Sequence, residues 1–464
     1  MDSYKSVAAS LALLVLGGCA APMSDTKPVQ PTLPAQWTQQ SPGEGDAISQ
    51  HWWRSFGSDE LDAVVVQAQA QSWNVAEATA RVRQAEARLG QAGAALLPEV
   101  TGGVSATRQK QSGEQASSAA HRFGATLSAS YEVDFWGKHQ AGRQAAQAGL
   151  QASVFDRDTV QLTVMAGAAS AWLQSVALRE RVDIARLNLQ SAERLVQLVE
   201  SRARAGAASP LELAQQRGLV AGQRRSLSSL QQQALDAQAT LAVLLGQTGA
   251  ADVVATHLLD LQMPRVGAGV PAQLLVRRPD IARAEAQLAA AQANVQVARA
   301  AMWPSLTLSG SVGTGDDSVR RIFDNPLYSL AAGLTAPIFN AGRLAAGKEL
   351  ALAQREELLA TYRQTIVQAF ADVQIALHAV AGIDAQTQFQ VEELLQSQKA
   401  LSLAEVRYRA GAENLLTLLD AQRTLYAAQD AAAQLRLARV LAHVSLYKAL
   451  GGGWSMPSAK LSPN

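Results

Sequence analysis

Residues 123–138 read FGATLSASYEVDFWGK, and their alternation decides the fold class. Phe123, Ala125, Leu127, Ala129, Tyr131, Val133 and Phe135 fall on one side of an extended chain; Gly124, Thr126, Ser128, Ser130, Glu132 and Asp134 fall on the other. A period of two held over this length specifies a strand with one apolar and one polar face. Leu97-Pro98 precedes it, and the Gly137-Lys138 step after it opens a long helical pattern. The same series recurs about 205 residues later, as internal repeats do. Trp303-Pro304 leads into Leu306, Leu308 and Val312 opposed by Ser305, Thr307, Ser309 and Ser311. Tyr328, Leu330, Leu334 and Ile338 then mark a fourth apolar face before Gly342-Arg343.

Strands are therefore expected at 98–107, 122–136, 304–313 and 327–339. Each is long enough to cross a bilayer at a tilt, which takes about ten residues. Phe123, Phe135, Trp136, Tyr328 and Phe339 sit near strand ends, where aromatic rings favour the membrane interface. Four strands in hydrocarbon would leave two edges of unpaired backbone groups, each group costing several kcal/mol. The barrel must then close across subunits. Two chains give eight strands, an interior filled by side chains, and three give twelve, enough to enclose water. The polar loops 108–121 and 314–326 would face outside. On alternation alone, a soluble antiparallel sheet with one wet face fits as well.

The remaining sequence is mostly helical. With 464 residues and a formal net charge of +1, the balance does not point to nucleic acid or a strongly acidic partner. Only 5% is aromatic, and Ala and Gln fill long periodic runs, which favours extended helices packed through small side chains. Residues 59–246 form a first repeat, 247–276 a link, 277–450 a second repeat and 451–464 a tail. Each repeat reads as helix, two strands, long helix, tip, helix. Helical patterns run from Asp59 to Leu96, from Lys138 to Ala203 and on to Leu245, then from Arg277 to Met302, from Leu344 to Tyr408 and on to Leu450. Uninterrupted stretches of about 65 residues reach roughly 95–100 Å, far beyond a bilayer's thickness. Ile184, Leu187, Leu195 and Leu198 recur at a coiled-coil-like spacing. The two tips align as Arg204-Ala-Gly206-Ala-Ala-Ser209 and Arg409-Ala-Gly411-Ala-Glu-Asn414, with Gln216-Arg217 and Gln422-Arg423 beyond them.

Cys19 is the only cysteine, which excludes an intramolecular disulfide. Lys5, the apolar run Val7–Leu16 and then Leu16-Gly17-Gly18-Cys19 read as a secretory signal, residues 1–18, ending in a lipoprotein processing site. Cys19 would carry the lipid, N-palmitoyl and S-diacylglycerol groups, and residues 19–58 would form the tether. No later segment reads as apolar enough for a membrane helix. The six histidines are scattered, and no Ser-His-Asp order, metal-ligand spacing or phosphate loop stands out, so neither an enzyme nor a metal site is expected.

Several further segments carry a family resemblance. They are the Cys19 box, Trp52-Trp53-Arg54-Ser55-Phe56-Gly57, Arg278-Pro279-Asp280-Ile281, Trp303-Pro304-Ser305, Leu418-Leu419-Asp420-Ala421-Gln422-Arg423 and Leu450-Gly451-Gly452-Gly453-Trp454. In order and spacing the set resembles the outer membrane factors of tripartite efflux pumps, the TolC/OprM type and in particular the NodT-like lipoproteins. The resemblance implies a mainly α homotrimer with a twelve-stranded outer-membrane barrel and a long periplasmic helical barrel. It implies a periplasmic adaptor (membrane fusion protein) and an inner-membrane RND-type transporter as partners. It implies that Leu416 and Asp420 constrict the periplasmic end, the carboxylates of Asp420 raising one another's pKa. Arg423 is expected to pair with acidic groups there, and the adaptor to meet the tips at Arg204, Gly206, Ser209, Arg409, Gly411 and Asn414. Ala20 is not the aspartate associated with inner-membrane retention, so sorting to the outer membrane is expected. The function implied is passive exit of drugs or other small toxic compounds. A type I protein secretion duct and a pore-less periplasmic coiled-coil lipoprotein are the alternatives.

Overall fold

Prolines, glycines and polar caps set the joints of this chain. The computed structural model describes residues 34, 36–38, 48–109, 120–264 and 266–456. The signal segment and Cys19 lie outside them. Ser58 caps α1 (Asp59–Gln71) by accepting from the Leu61 N–H. The helix expected from Asp59 to Leu96 then breaks at Ser72, which is extended at ψ 125°, and resumes as α2 (Trp73–Ala94). A distant segment packs against this break. Gly246 lies so close that a Cβ there would sit 2.4 Å from the Gln71 carbonyl oxygen.

After β1 (Glu99–Gln109) and β2 (Ala120–Val133) come α3 (Lys138–Arg204) and α4 (Pro210–Leu244). The second half follows with a short α5 (Leu274–Arg277), then α6 (Pro279–Ala300), β3 (Ser305–Asp316) and β4 (Pro326–Thr335). It ends with α7 (Arg343–Arg409) and α8 (Leu415–Ala449). Two strands stop short of the expected ends. β2 ends at Val133 because the Asp134 carboxylate turns to accept from the His139 and Gln140 N–H groups, at 3.0 and 2.8 Å. That caps the start of α3 and leaves Phe135 and Trp136 in the turn. β4 ends at Thr335, two residues before Pro337, which has no N–H to continue a ladder, so Ile338 and Phe339 lie outside it.

The strands form one antiparallel sheet in the order β1-β2-β3-β4. Ser130 faces Glu99 and Ser309, Ser128 faces Thr101 and Ser311, and Ser311 faces Ser329. This register keeps Glu99, Thr101, Thr126, Ser128, Ser130, Thr307, Ser309, Ser311 and Ser329 on one side and Val100, Leu127, Tyr131, Leu308, Val312 and Tyr328 on the other, with Arg108, His121, Thr314 and Asp316 joining the apolar side near the loops.

The helices pack around α3, which touches α1, α2, α4, α6 and α8, whereas α7 packs on α6 and α8. The largest core joins Trp52, Trp53, Phe56, Trp172 and Leu173 to Ile366, Val440 and Tyr447. A separate core near the tips joins Leu195, Val199, Leu401 and Tyr408 to Leu415 and Leu418. One expectation needs correction: α7 does contain a stretch apolar enough, by length and composition, to cross a membrane. Part of its apolar surface, Ile366, Val373, Leu377 and Val380, faces the core, while Val367 and Ile375 between them are exposed. At 67 residues the helix spans about 100 Å, several times a bilayer's apolar thickness.

Candidate functional site

The sheet supplies a wall. Its polar face is built of hydroxyls and glycines, and neighbouring strands join through side chains: Thr101 Oγ1 lies 2.9 Å from Ser128 Oγ and Ser311 Oγ 2.7 Å from Ser329 Oγ. Small hydroxyl side chains satisfy one another and leave the surface flat and wettable. Where the sheet meets the helices, Trp136 stacks on Trp303 at a centroid distance of 5.0 Å and donates from Nε1 to the Pro304 carbonyl. Glu132 is paired with Lys138 at 2.6 Å and lies 3.3 Å from His139 Nε2.

At the far ends of α3 and α7 lie the two tips. Gly206 and Gly411 take left-handed backbone, φ 77° and 75°, which lets Ala207 N–H reach Arg202 O and Ala412 N–H reach Arg407 O. Ser209 and Glu212 form a reciprocal capping box that starts α4. Asn414 caps α8 through Thr417 N–H at 3.0 Å. Glu413 accepts from the Asn414 N–H and the Thr417 hydroxyl and pairs with Arg407 at 3.4 Å, which holds its pKa below the usual glutamate value. Arg204 is exposed, and Arg409 is 3.4 Å from Glu405. A contact that spacing did not disclose ties the tips together. Arg202 donates to the Tyr408 carbonyl and lies over the Tyr408 ring at 4.7 Å. Burial, with Glu212 nearby, pushes the Tyr408 pKa up. The signal available was Tyr408 itself, an aromatic residue just before the tip motif.

Leu416, Asp420 and Arg423 are all exposed, spaced four and three apart along one stripe of α8. Leu415, Leu418, Leu419 and Gln422 on its other side are buried. Arg423 lines a groove of about 280 Å³ with Arg181, Asn188, Tyr426 and Asp430. The expected pairing of Arg423 does not occur within the chain: Asp430 is held by Arg181 at 2.7 Å, and no ion pair of Arg423 is present among the described residues.

The remaining motifs meet elsewhere, in a structural hub. Arg278 donates to Asp280, Asp372 and the Ala449 carbonyl, joining the start of α6 to α7 and the end of α8. Burial disfavours its charge, but Asp280 and Asp372 outweigh that and leave its pKa above the ordinary arginine value. A Cβ on Gly451 would lie 2.0 Å from the Arg277 carbonyl oxygen. Trp52 stacks on Tyr447 at 5.0 Å, and Trp454 donates to Asp158. Among the described residues no group of side chains could hold a metal ion.

The profile of the family described as "Outer membrane efflux protein" matches residues 64–247 and 270–452. The chain belongs to this family. It is 51% identical, over 97% of its length and 98% of the relative's, to the pyoverdine export outer membrane protein OpmQ of Pseudomonas aeruginosa. It is 29% identical, over 95% and 97%, to the cation efflux system protein CusC of Escherichia coli. The open-state MtrE outer membrane channel of Neisseria gonorrhoeae superposes with a TM-score of 0.82 at 28% identity, covering 91% of this chain and 97% of that one. Membership makes this outer membrane efflux protein a non-catalytic outer-membrane channel component of a bacterial efflux or export system. Its mainly α fold with long helices and a small sheet is that of TolC-type proteins. The pore-less alternative falls with that assignment.

Proposed function

We propose that three copies close their sheets into one twelve-stranded barrel in the outer membrane, with the helices carrying the conduit into the periplasm. Its register favours this: one apolar face for lipid, one hydroxyl face for water, and unpaired edges on β1 and β4 that only neighbouring copies can cover. Lipid on Cys19 adds a second attachment. Leu416 and Asp420 narrow the periplasmic end, their exposed stripe facing the axis, with Arg423 beside them. An adaptor meets the tips at Arg204, Gly206, Ser209, Arg409, Gly411 and Asn414, and an inner-membrane transporter feeds the duct.

The cargo we assign is a secreted small molecule of the pyoverdine class. One observation carries this. Identity is 51% and 50% to two pyoverdine export proteins, against 34% and 33% to relatives from toluene and antibiotic efflux pumps. The test is complementation. A Pseudomonas aeruginosa strain lacking OpmQ and carrying this chain is expected to regain pyoverdine in the medium and lose it from the cell fraction. A well-expressed trimer that restores drug tolerance but not pyoverdine export would overturn the cargo assignment and leave the duct standing.

A further inference from the structure

Three carboxylates gather where the hydroxyl wall meets the helices, and two of them are already committed. The register places Glu99 opposite Ser130 and Glu132 opposite Thr307, so Glu99 and Glu132 are diagonal neighbours on the polar face. Asp134 follows in the same alternation. Glu132 is neutralised by Lys138 at 2.6 Å. Both Asp134 oxygens cap backbone N–H groups of α3. Glu99 is exposed and has neither hydrogen bond nor ion pair among the described residues. Elsewhere on that face the strands carry hydroxyls, glycines and other uncharged groups, apart from Arg122 near the loop end of β2. Glu99 is therefore the one carboxylate of the three with no partner among the described residues.

We propose that Glu99 sets the charge selectivity of the barrel at its junction with the helical conduit, favouring cations over anions. The proposal rests on the trimeric barrel above, which turns one carboxylate into a ring of three. Three charges about 10 Å from an aqueous axis favour a cation over an anion there by roughly three- to fivefold at ~0.1 M salt, where screening acts over ~10 Å. At ~1 M the screening length is ~3 Å and the preference disappears. Glu132 adds little, because Lys138 compensates its charge, while Asp134, in the turn beyond β2, keeps its charge against the N–H groups of α3 and gives a constant background in every variant.

Reversal potentials under a KCl gradient, on full-length trimers in planar bilayers, test this. The background is Asp420→Ala, which removes the proposed gate charges from the path. Glu99→Gln is expected to lower the cation preference measured at ~0.1 M salt by three- to fivefold. Lys138→Gln, which frees Glu132, is expected to raise it. Glu99→Cys lets each channel serve as its own control: a sulfonate-bearing thiol reagent should restore the preference and a quaternary-ammonium reagent lower it further. Conducting channels whose reversal potential ignores both Glu99→Gln and the reagents overturn the proposal. A trimer with both proposed gate side chains removed, Leu416→Ala with Asp420→Ala, that assembles but never conducts overturns the barrel reading itself.

Discussion

The two long helices α3 and α7 have the same length, 67 residues, and corresponding places in the repeat, yet opposite surroundings. Leu187 is the one large apolar side chain exposed on α3. Leu350, Val367, Ile375, Phe389, Leu395 and Val406 are all exposed on α7. The short helices reverse the assignment: α8 exposes Leu416, whereas α4 exposes Leu211, Leu235 and Val243. The long helix of one repeat and the short helix of the other thus form the interior of the helical layer, and α4 and α7 form its flanks. Duplication set the lengths, and position then divided the chemistry. Apolar flanks of this kind suit the covering copies of the trimer proposed above.

The largest expected effect tests that division. Ile375→Glu or Phe389→Glu puts a charge into what the proposed trimer makes an apolar seam, at a cost of several kcal/mol, and should convert that trimer to monomer in mass measurements of solubilised protein. The same change at Leu187 should leave the trimer intact. Equal behaviour of α3 and α7 would break the comparison. A smaller effect separates the two repeats at their closures. Arg278→Ala strands the Asp280 and Asp372 carboxylates and should cost about 3–5 kcal/mol in urea unfolding. Ser72→Ala, at the corresponding place in the first repeat, should cost about 1 kcal/mol or less. The smallest separates the tips. Glu413's folded pKa is depressed, so its contribution is present at neutral pH and lost as pH falls through that folded value. Amide exchange over 410–417, corrected for intrinsic rates, should rise on acidification. Glu413→Gln should show the raised rate already at neutral pH, and a pH-independent second tip would refute the link.

How much was legible beforehand depends on the range of the interaction. The strands were readable because a period of two is local, and the register added only which faces coincide. Their ends were not, since Asp134 had to choose between continuing β2 and capping α3, and Pro337 mattered only once the ladder reached it. The break at Ser72 was invisible because the segment that packs against it, at Gly246, lies far along the chain. Tip glycines and caps were evident from spacing, whereas Arg202 on Tyr408 joins residues 206 apart. Arg278 was noticed as part of a recurring motif, but its partners Asp372 and Ala449 are set by packing.

Gly246 and Gly451 occupy matching places about 205 residues apart, as a duplicated unit requires. Each ends a short helix with positive φ and presses on the joint before its own repeat's ascending helix, Gln71 for the first and Arg277 for the second. Each half of the chain is thereby tied end to start without help from the other. A protein of half this length would already possess both its hairpin of strands and its own closure. Six such halves would lay out the same twelve strands that the proposed trimer does. Joined in one chain, the two halves divide the work in opposite order, the first placing its long helix inside and its short helix on the flank and the second the reverse, which a sixfold ring of identical halves does not allow.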